Sequence, residues 1–366
     1  MRRRVPVSFM RTALVALLSA VLAALVVGNA AAASGGSHPG RAKHPVTVAT
    51  YNLYLGANLQ PLFGATSLPD LVARAGQVYA NVVRTNFPER AAAIADLLAE
   101  TRPDVVGLQE VALWETGPIG GELTPSYDFL DLLLDALAER GHPYRAVVSN
   151  ANFAGQLPIS ATTEARFTDH DVVIVRADHR PSRIETSNPQ AQNFAAKLQI
   201  PTPVGITFDV PRGWSTVDVK LRGRTFRFAN THLEAFSEVV RNLQARELYA
   251  ALAASPNPVV LVGDLNSEPS DTAGAYGLAR QAGYDDAWVV ANGPDGGFTS
   301  GQTDALNEPS KIDHRIDYVL YRSVWQTRIK AVRAEVIGEE DADRTPSGLW
   351  PSDHAGVVAS LQITRR

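Results

Sequence analysis

Six short polar strings, each closing a run that reads as a buried strand, constrain this chain more than any other feature. They are Thr50-Tyr51-Asn52, Leu108-Gln109-Glu110-Val111, Asn230-Thr231-His232-Leu233, Gly263-Asp264-Leu265-Asn266, Arg315-Ile316-Asp317-Tyr318 and Ser352-Asp353-His354. Strand ends that carry carboxylate, amide and imidazole are where a sheet protein builds a reactive site. The chain has no cysteine. That inventory suits a hard cation with oxygen ligands, and a phosphate ester.

The runs between the strings alternate between strand and helix. Residues 46–52 alternate as a strand does, with Val46, Val48, Thr50 and Asn52 on one face. Residues 56–84 are ambiguous and partly helical. Residues 88–100 read as a helix with Ile94, Leu97 and Leu98 in its apolar stripe. A buried strand follows over 105–109. Leu130, Leu133, Leu134 and Leu137 then stand at helical spacing, with Gly141 as the stop. Strands are expected over 144–148 and 172–175, a hairpin over 217–231 and a helix over 237–253. A continuous apolar strand covers 259–262, and the last strands cover 316–321, 329–336 and 355–363. Residues 181–215 are the least legible, a long excursion carrying Phe194, Ile200, Phe208 and Trp214. It reads equally as surface decoration, an extra hairpin or a substrate-shaping segment. No repeat of solenoid period and no interior linker occurs, so residues 45–364 read as one domain of two sheets with outer helices.

Residues 1–33 stand apart. Arg2, Arg3, Arg4 and Arg11 make a positive start, residues 12–27 are apolar, and Asn29-Ala30-Ala31-Ala32-Ala33 offers an Ala-x-Ala cleavage signal before Ser34. This pattern is that of a secretory signal peptide cleaved near Ala33. A retained anchor would need about 20 apolar residues. The Arg pairs are compatible with twin-arginine export, and the lack of a Cys after the apolar run excludes a lipoprotein. Residues 34–44 read as a flexible lead-in. The leader holds four Arg and no acid, so its removal leaves 30 Lys and Arg against 38 Asp and Glu, a net charge of −8. Such a protein has no long-range attraction to nucleic acid or anionic lipid, although a bound divalent cation reverses the sign locally. An exported chain without cysteine draws its stability from its core, and 45% hydrophobic residues permit one.

In this order the six strings resemble the endonuclease/exonuclease/phosphatase superfamily, which includes deoxyribonuclease I, exonuclease III, neutral sphingomyelinases and inositol polyphosphate 5-phosphatases. The resemblance spans nearly all of the chain after the leader. Gly-Asp-Leu-Asn and Ser-Asp-His are its most specific elements. It implies an α/β fold, a four-layer α/β/β/α sandwich of two packed mixed sheets with outer helices. It also implies divalent-metal-dependent hydrolysis of phosphoric esters at one edge of the paired sheets.

Residue roles follow from the resemblance. Glu110 would be the main metal ligand, with Asn52 beside it and Asp353 supporting the metal or its waters. Mg²⁺ is the expected ion, with Mn²⁺ or Ca²⁺ as alternatives; one carboxylate and one amide meet the demand of an ion that keeps several waters. Asp264 would activate or orient the attacking water, and Asn266 would hold the phosphate or that water. On a continuing strand Asp264 and Asn266 would share a face, as would Asn230 and His232. His354 would face the phosphate, with Asp317 on its other ring nitrogen to set its tautomer and stabilise its cation. His232 would be the second imidazole. Asp169, opening Asp169-His170-Asp171-Val172, is the candidate acidic partner of His232, with Asp171 as its neighbour.

Other residues carry less. His314 flanks the site, and His142, His170 and His179 are expected to be solvated. Arg166 and Arg212 are either surface residues or phosphate ligands, and Trp114 and Trp214 either core or a substrate platform. No zinc-binding string with thiolate or paired histidines and no Gly-x-Ser-x-Gly elbow occurs. The expected function is a secreted phosphodiesterase that attacks with water in line, on a phospholipid, a sphingomyelin-like lipid or a small diester. The alternatives are a secreted endonuclease and a lapsed binding or toxin-like module. The expected partners are a lipid head group or nucleic acid as phosphate-ester substrate, with transient membrane-surface contact through the aromatics of the excursion. No obligate protein partner is expected, and the chain reads as a monomer.

Overall fold

The computed structural model describes residues 44–178 and 184–366. The segment read as a signal peptide, nearly all of the expected lead-in and His179 lie outside the described residues.

The described residues open with strand β1 (Val46–Asn52), a one-turn helix α1 (Gln60–Phe63) and helices α2 (Leu68–Arg84) and α3 (Phe87–Thr101). Ser67 begins α2 by accepting the Asp70 amide, with Pro at the start of the first turn. Strand β2 (Val105–Gln109), the hairpin β3 (Leu113–Pro118) and β4 (Thr124–Asp128), and helix α4 (Phe129–Glu139) follow. Asp128 caps α4 through the Asp131 amide. A long hairpin, β5 (Tyr144–Pro158) and β6 (Thr163–Arg176), comes next. The excursion holds β7 (Glu185–Asn193), β8 (Leu198–Pro201) and β9 (Thr207–Val210). Then come β10 (Gly213–Leu221), β11 (Arg224–His232), α5 (Glu238–Ala253), β12 (Val259–Asp264), α6 (Ala275–Gln281), β13 (Asp285–Asp286) and α7 (Ala287–Asn292). Strands β14 (Asp317–Arg322), β15 (Thr327–Ile337) and β16 (Gly356–Arg365) complete the chain.

Two mixed sheets result. One runs β15-β16-β1-β2-β6-β3-β4 with β5 also on β6, and the other runs β13-β14-β12-β11-β10-β7. Neighbours β1 and β2 are parallel, as are β11 and β12. The other pairs are antiparallel. The period of two along each strand sends alternate side chains to opposite faces. Val46 and Val48 therefore join Val105, Val173, Phe226, Phe228, Val260 and Val262 between the sheets. Ala49 and Tyr51 turn the other way, onto Phe87, Ile94, Leu98, Phe129 and Leu133 of the outer helices α3 and α4. On the far side, Leu261 and Leu320 meet Ala245, Leu248 and Leu252 of α5 and Ala279 of α6. The layers are helix, sheet, sheet, helix, as the resemblance implied.

At one end the apolar interlayer gives way to a polar bridge. Gln109 accepts from Thr50 Oγ1 at 3.2 Å and donates to Asn230 Oδ1 at 2.6 Å. Asn230 in turn donates to Leu108 O at 2.9 Å, across the two sheets. Gly107 makes this close approach feasible, because a Cβ there would sit 2.4 Å from Val262 Cγ2 and 2.5 Å from Asn230 Oδ1.

Two expectations change. Strand β12 ends at Asp264, and Asn266 has φ of 47°, so these two residues are not successive outward positions on one strand. The three aromatics offered as a membrane platform are core: Phe194, Phe208 and Trp214 are 5%, 9% and 7% exposed. Their apolar area was needed under the excursion, which folds back as strands and covers it. The hairpin β3–β4 and the short α6 and α7 escaped the sequence reading.

Candidate active site

Strand register places most of the reactive residues. Asn52 pairs with Gln109 across β1 and β2, which sets Glu110 just beyond the strand end. His232 pairs with Asp264 across β11 and β12, and Asp264 pairs with Asp317 across β12 and β14. The loop before β16 brings Asp353 and His354. A cleft of about 240 Å³ opens at these strand ends, and its lining includes Glu110, Asp169, Arg212, His232, Asp264, Asn266, Asp353 and His354. Asn52 lies fully buried against Asp264, to whose Oδ2 its amide donates at 3.3 Å.

The acid–base groups form a chain. Asp317 Oδ2 meets His354 Nδ1 at 2.8 Å, so His354 turns Nε2 toward Asp264 Oδ2 at 3.9 Å. His232 Nε2 approaches the same Asp264 oxygen at 3.4 Å. The Asn266 amide donates to Asp264 Oδ1 at 2.8 Å, and the Asn266 side chain is tied to Leu233 O at 3.0 Å. The left-handed backbone at Asn266 makes both bonds feasible, and Asn tolerates that region better than most residues. Burial, then Asp317, pushes the Asp264 carboxyl up to about 7, while His354 opposes the shift. Burial works against a charge on His354, yet Asp317, Asp353 and Asp264 outweigh it and raise that imidazole well above its usual range.

Glu110 and Asp353 are a second pair of acids. Glu110 also has a left-handed backbone, with φ of 55°, and its Oε2 accepts the Leu55 amide at 2.8 Å. Burial, then the charge of Asp353, pushes Glu110 up to about 7. Asp353 is raised as well, chiefly by burial, and Ser352 Oγ donates to it at 3.3 Å. Two half-buried acids with few donors form an oxygen set that fits a hard divalent cation. Asp264, Asp317 and His354 also offer ligand atoms within 4.8 Å of one another, but the hydrogen bond between Asp317 and His354 Nδ1 uses part of that set.

His232 does not meet Asp169 directly. Arg212 stands between them: its Nη1 is 2.9 Å from Asp169 Oδ2 and 3.3 Å from His232 Nδ1. Asp169 thus bonds the arginine, and Asn152 reaches the same oxygen at 3.4 Å. The neighbouring Asp171 is fully buried and raised well above the ordinary carboxyl range, first by burial and then by Asp169. His232 is pushed well below its usual value by burial, by Arg212 and by His354.

The remaining candidates lie elsewhere. Arg166 is bidentate to Glu115 at 2.5 and 2.6 Å. Trp114 is core. His314 is exposed and bonded to Glu268 at 2.6 Å. His170 touches Val111 O at 3.2 Å, and His142 is partly exposed. One residue escaped the sequence reading altogether. Arg90 is fully buried, and its guanidinium donates to Thr85 O, Leu53 O, Pro351 O and Tyr54 O. It ties the loop after β1 to the loop that carries Asp353. An arginine among the alanines of an amphipathic helix gives no signal of such a role.

The comparisons agree with this architecture. A family model described as the endonuclease/exonuclease/phosphatase family matches residues 49–354. Human nocturnin is 25% identical over 157 residues, 41% of this chain and 36% of that protein. The match thus spans about a third of that relative's length. Among solved structures, the mannosyl-6-phosphatase of Bacteroides thetaiotaomicron superposes with a TM-score of 0.53 at 18% identity, over 87% of this chain and 99% of that one. D. rerio TDP2 complexed with a single-strand DNA product gives 0.52 at 16% identity, over 87% and 98%. These likenesses show the fold. With the family match covering most of its length, the chain belongs to the endonuclease/exonuclease/phosphatase family, whose members are metal-dependent phosphoester hydrolases.

Proposed function

We propose that this protein hydrolyses phosphodiesters by direct in-line attack of water, with a phospholipid-like, sphingomyelin-like or small organic diester preferred over nucleic acid. The observation that carries the reading is Asp264, whose Oδ2 faces both imidazole Nε2 atoms, at 3.4 Å from His232 and 3.9 Å from His354, in the cleft that Glu110 and Asp353 share. A carboxyl pushed up to about 7 is matched to taking a proton from water near neutral pH. His354, held cationic by Asp317, stabilises charge on a phosphoryl oxygen or protonates the leaving oxygen. Asn266 positions the phosphate or the water. Glu110, Asp353 and Asn52 would hold the cation, Mg²⁺ first, with Mn²⁺ or Ca²⁺ as alternatives. A divalent ion at that place supplies polarisation of a phosphoryl oxygen and screening of its charge.

Two features of the cleft support the substrate preference. Arg212 is the one Lys or Arg among the described residues of its lining, whereas a nucleic-acid groove needs several cations along the backbone. One wall is apolar, built from Leu55, Leu59, Phe63, Phe153, Phe167, Val210 and Phe236. Phe236 is 52% exposed at its rim. Such a wall suits the apolar part of an amphiphilic ester. We also propose that the protein is exported, on the strength of residues 1–33, and that the mature chain begins near Ser34.

A substrate panel tests the reading: sphingomyelin, phosphatidylcholine, bis-p-nitrophenyl phosphate and plasmid DNA, each with Mg²⁺, Mn²⁺ or Ca²⁺. Cleavage of a lipid or the small diester is expected. Cleavage of DNA alone overturns the preference, and no turnover with any ion would favour the binding module.

A further inference from the structure

The second imidazole has an unusual neighbour. A carboxylate at the inner nitrogen of a catalytic histidine accepts a hydrogen bond from it and favours the imidazolium, as Asp317 does for His354. At His232 that place is taken by Arg212, and a guanidinium can only donate. His232 Nδ1 must therefore be the acceptor, and the ring's proton resides on Nε2, the atom that faces Asp264 and the cleft. Arg212 is itself 9% exposed and is neutralised by Asp169 beneath it. Its donors outnumber its protein acceptors. Nη1 serves both Asp169 and His232, while Nη2 and the buried Nε have no acceptor among the described residues. A buried cation with spare donors, on the wall of a cleft otherwise rich in acids, calls for an anion.

We propose that Arg212 is the phosphoryl-binding residue of this cleft, taking a non-bridging oxygen of the ester, and that it also locks His232 as the neutral Nε2–H donor. The two histidines then divide the work. His354 is the cation backed by a carboxylate. His232 is a neutral hydrogen-bond donor, oriented by an arginine that reaches the same phosphate. Asp169 holds Arg212 in place and is a positioning residue. This assignment rests on the phosphoester reading, but its test does not need turnover.

The test uses the full mature chain and inorganic phosphate as the probe, titrated by calorimetry with Mg²⁺ present. Arg212→Gln is expected to weaken phosphate binding about 10-fold or more, as loss of a charge-assisted hydrogen bond does. Arg212→Lys, which keeps the charge but loses the fork, should fall between. With bis-p-nitrophenyl phosphate, KM should rise more than kcat falls. Because Arg212→Gln leaves Asp169 buried without its cation, the double variant Asp169→Asn/Arg212→Gln is measured beside it, and the same loss of phosphate binding is expected. In the wild type, long-range 15N–1H correlations should show His232 with Nδ1 unprotonated and Nε2 protonated. In the double variant the ring should sample both tautomers. Equal phosphate affinity in the wild type and both Gln variants, or a proton on His232 Nδ1 in the wild type, overturns the proposal. If no phosphodiester is turned over, the phosphate titration and the tautomer remain readable, so failure of the activity and failure of this assignment are distinguishable.

Discussion

Asp264 sits where three influences meet: the Asp317 carboxylate, two imidazoles and its own burial. Its replacement by Asn keeps the shape and removes the base. Asp264→Asn and His354→Ala should each lower kcat by roughly 10²–10⁴-fold, with circular dichroism and melting near those of the wild type. Turnover within a few-fold of normal in either would contradict the assigned roles. A second expectation at this scale concerns pH. Unfolded carboxyls titrate near 4, whereas Glu110 and Asp264 keep their protons up to about 7 in the fold. Between those values the folded chain binds more protons than the unfolded one, so its stability falls as pH rises through the window. A divalent cation at Glu110 and Asp353 relieves that cost where the acids are ionised. Thermal melts in EDTA and in Mg²⁺ should therefore differ more at pH 8 than at pH 5. An equal shift at both would argue against these acids as the cation's ligands.

At the scale of single elements, the site depends on how strand ends are tied to loops. Arg90 on α3 joins four backbone carbonyls, two of them on the segment just after β1 and one next to Ser352. Arg90→Met would leave those acceptors buried and unpaired, and should destabilise the fold by about 3–5 kcal/mol. Urea unfolding reads this, and a variant within about 0.5 kcal/mol of the wild type would refute it. Gly107 on β2 is a contrasting case, since Gly107→Ala forces a methyl against Val262 and Asn230. A loss of about 1–3 kcal/mol is expected on urea unfolding. An unchanged midpoint would show that the two sheets can move apart there.

The elements that were legible in the sequence were those with a strong period or a long apolar run. β2, α3, α5 and β12 fall within a few residues of expectation, because burial on one face repeats in the sequence. The excursion was not legible, since the strand β7 is almost wholly exposed and carries Asn, Pro and Gln rather than alternating apolar residues. The partner of His232 was not legible either. Asp169 carries the charge that the sequence suggested, but Arg212 comes from the short link between β9 and β10 and inserts between them only in the folded chain.

For the whole molecule, the decisive feature is that two sheets with different strand orders bring their polar ends to one edge. Glu110 and Asn52 come from one sheet. His232, Asp264 and Asp317 come from the other, and the loop before β16 closes the ring. Function therefore rests on the docking of the sheets, and the polar bridge of Gln109 and Asn230 sets that docking at the site's edge. Export belongs to this scale as well. The N-terminal sequence of protein recovered from the medium of an expressing bacterial culture should begin near Ser34, and retention of residues 1–33 would contradict the expectation.

The most direct test of the central claim is hydrolysis of bis-p-nitrophenyl phosphate by the mature chain and its Glu110→Gln variant, in EDTA and after Mg²⁺ is added back. The wild type should be silent in EDTA and recover with Mg²⁺, while the variant should stay at least about 10²-fold below it or need far more metal. Hydrolysis that persists in EDTA, or a variant that matches the wild type at the same Mg²⁺ concentration, would contradict a cation held by Glu110 at this edge of the paired sheets.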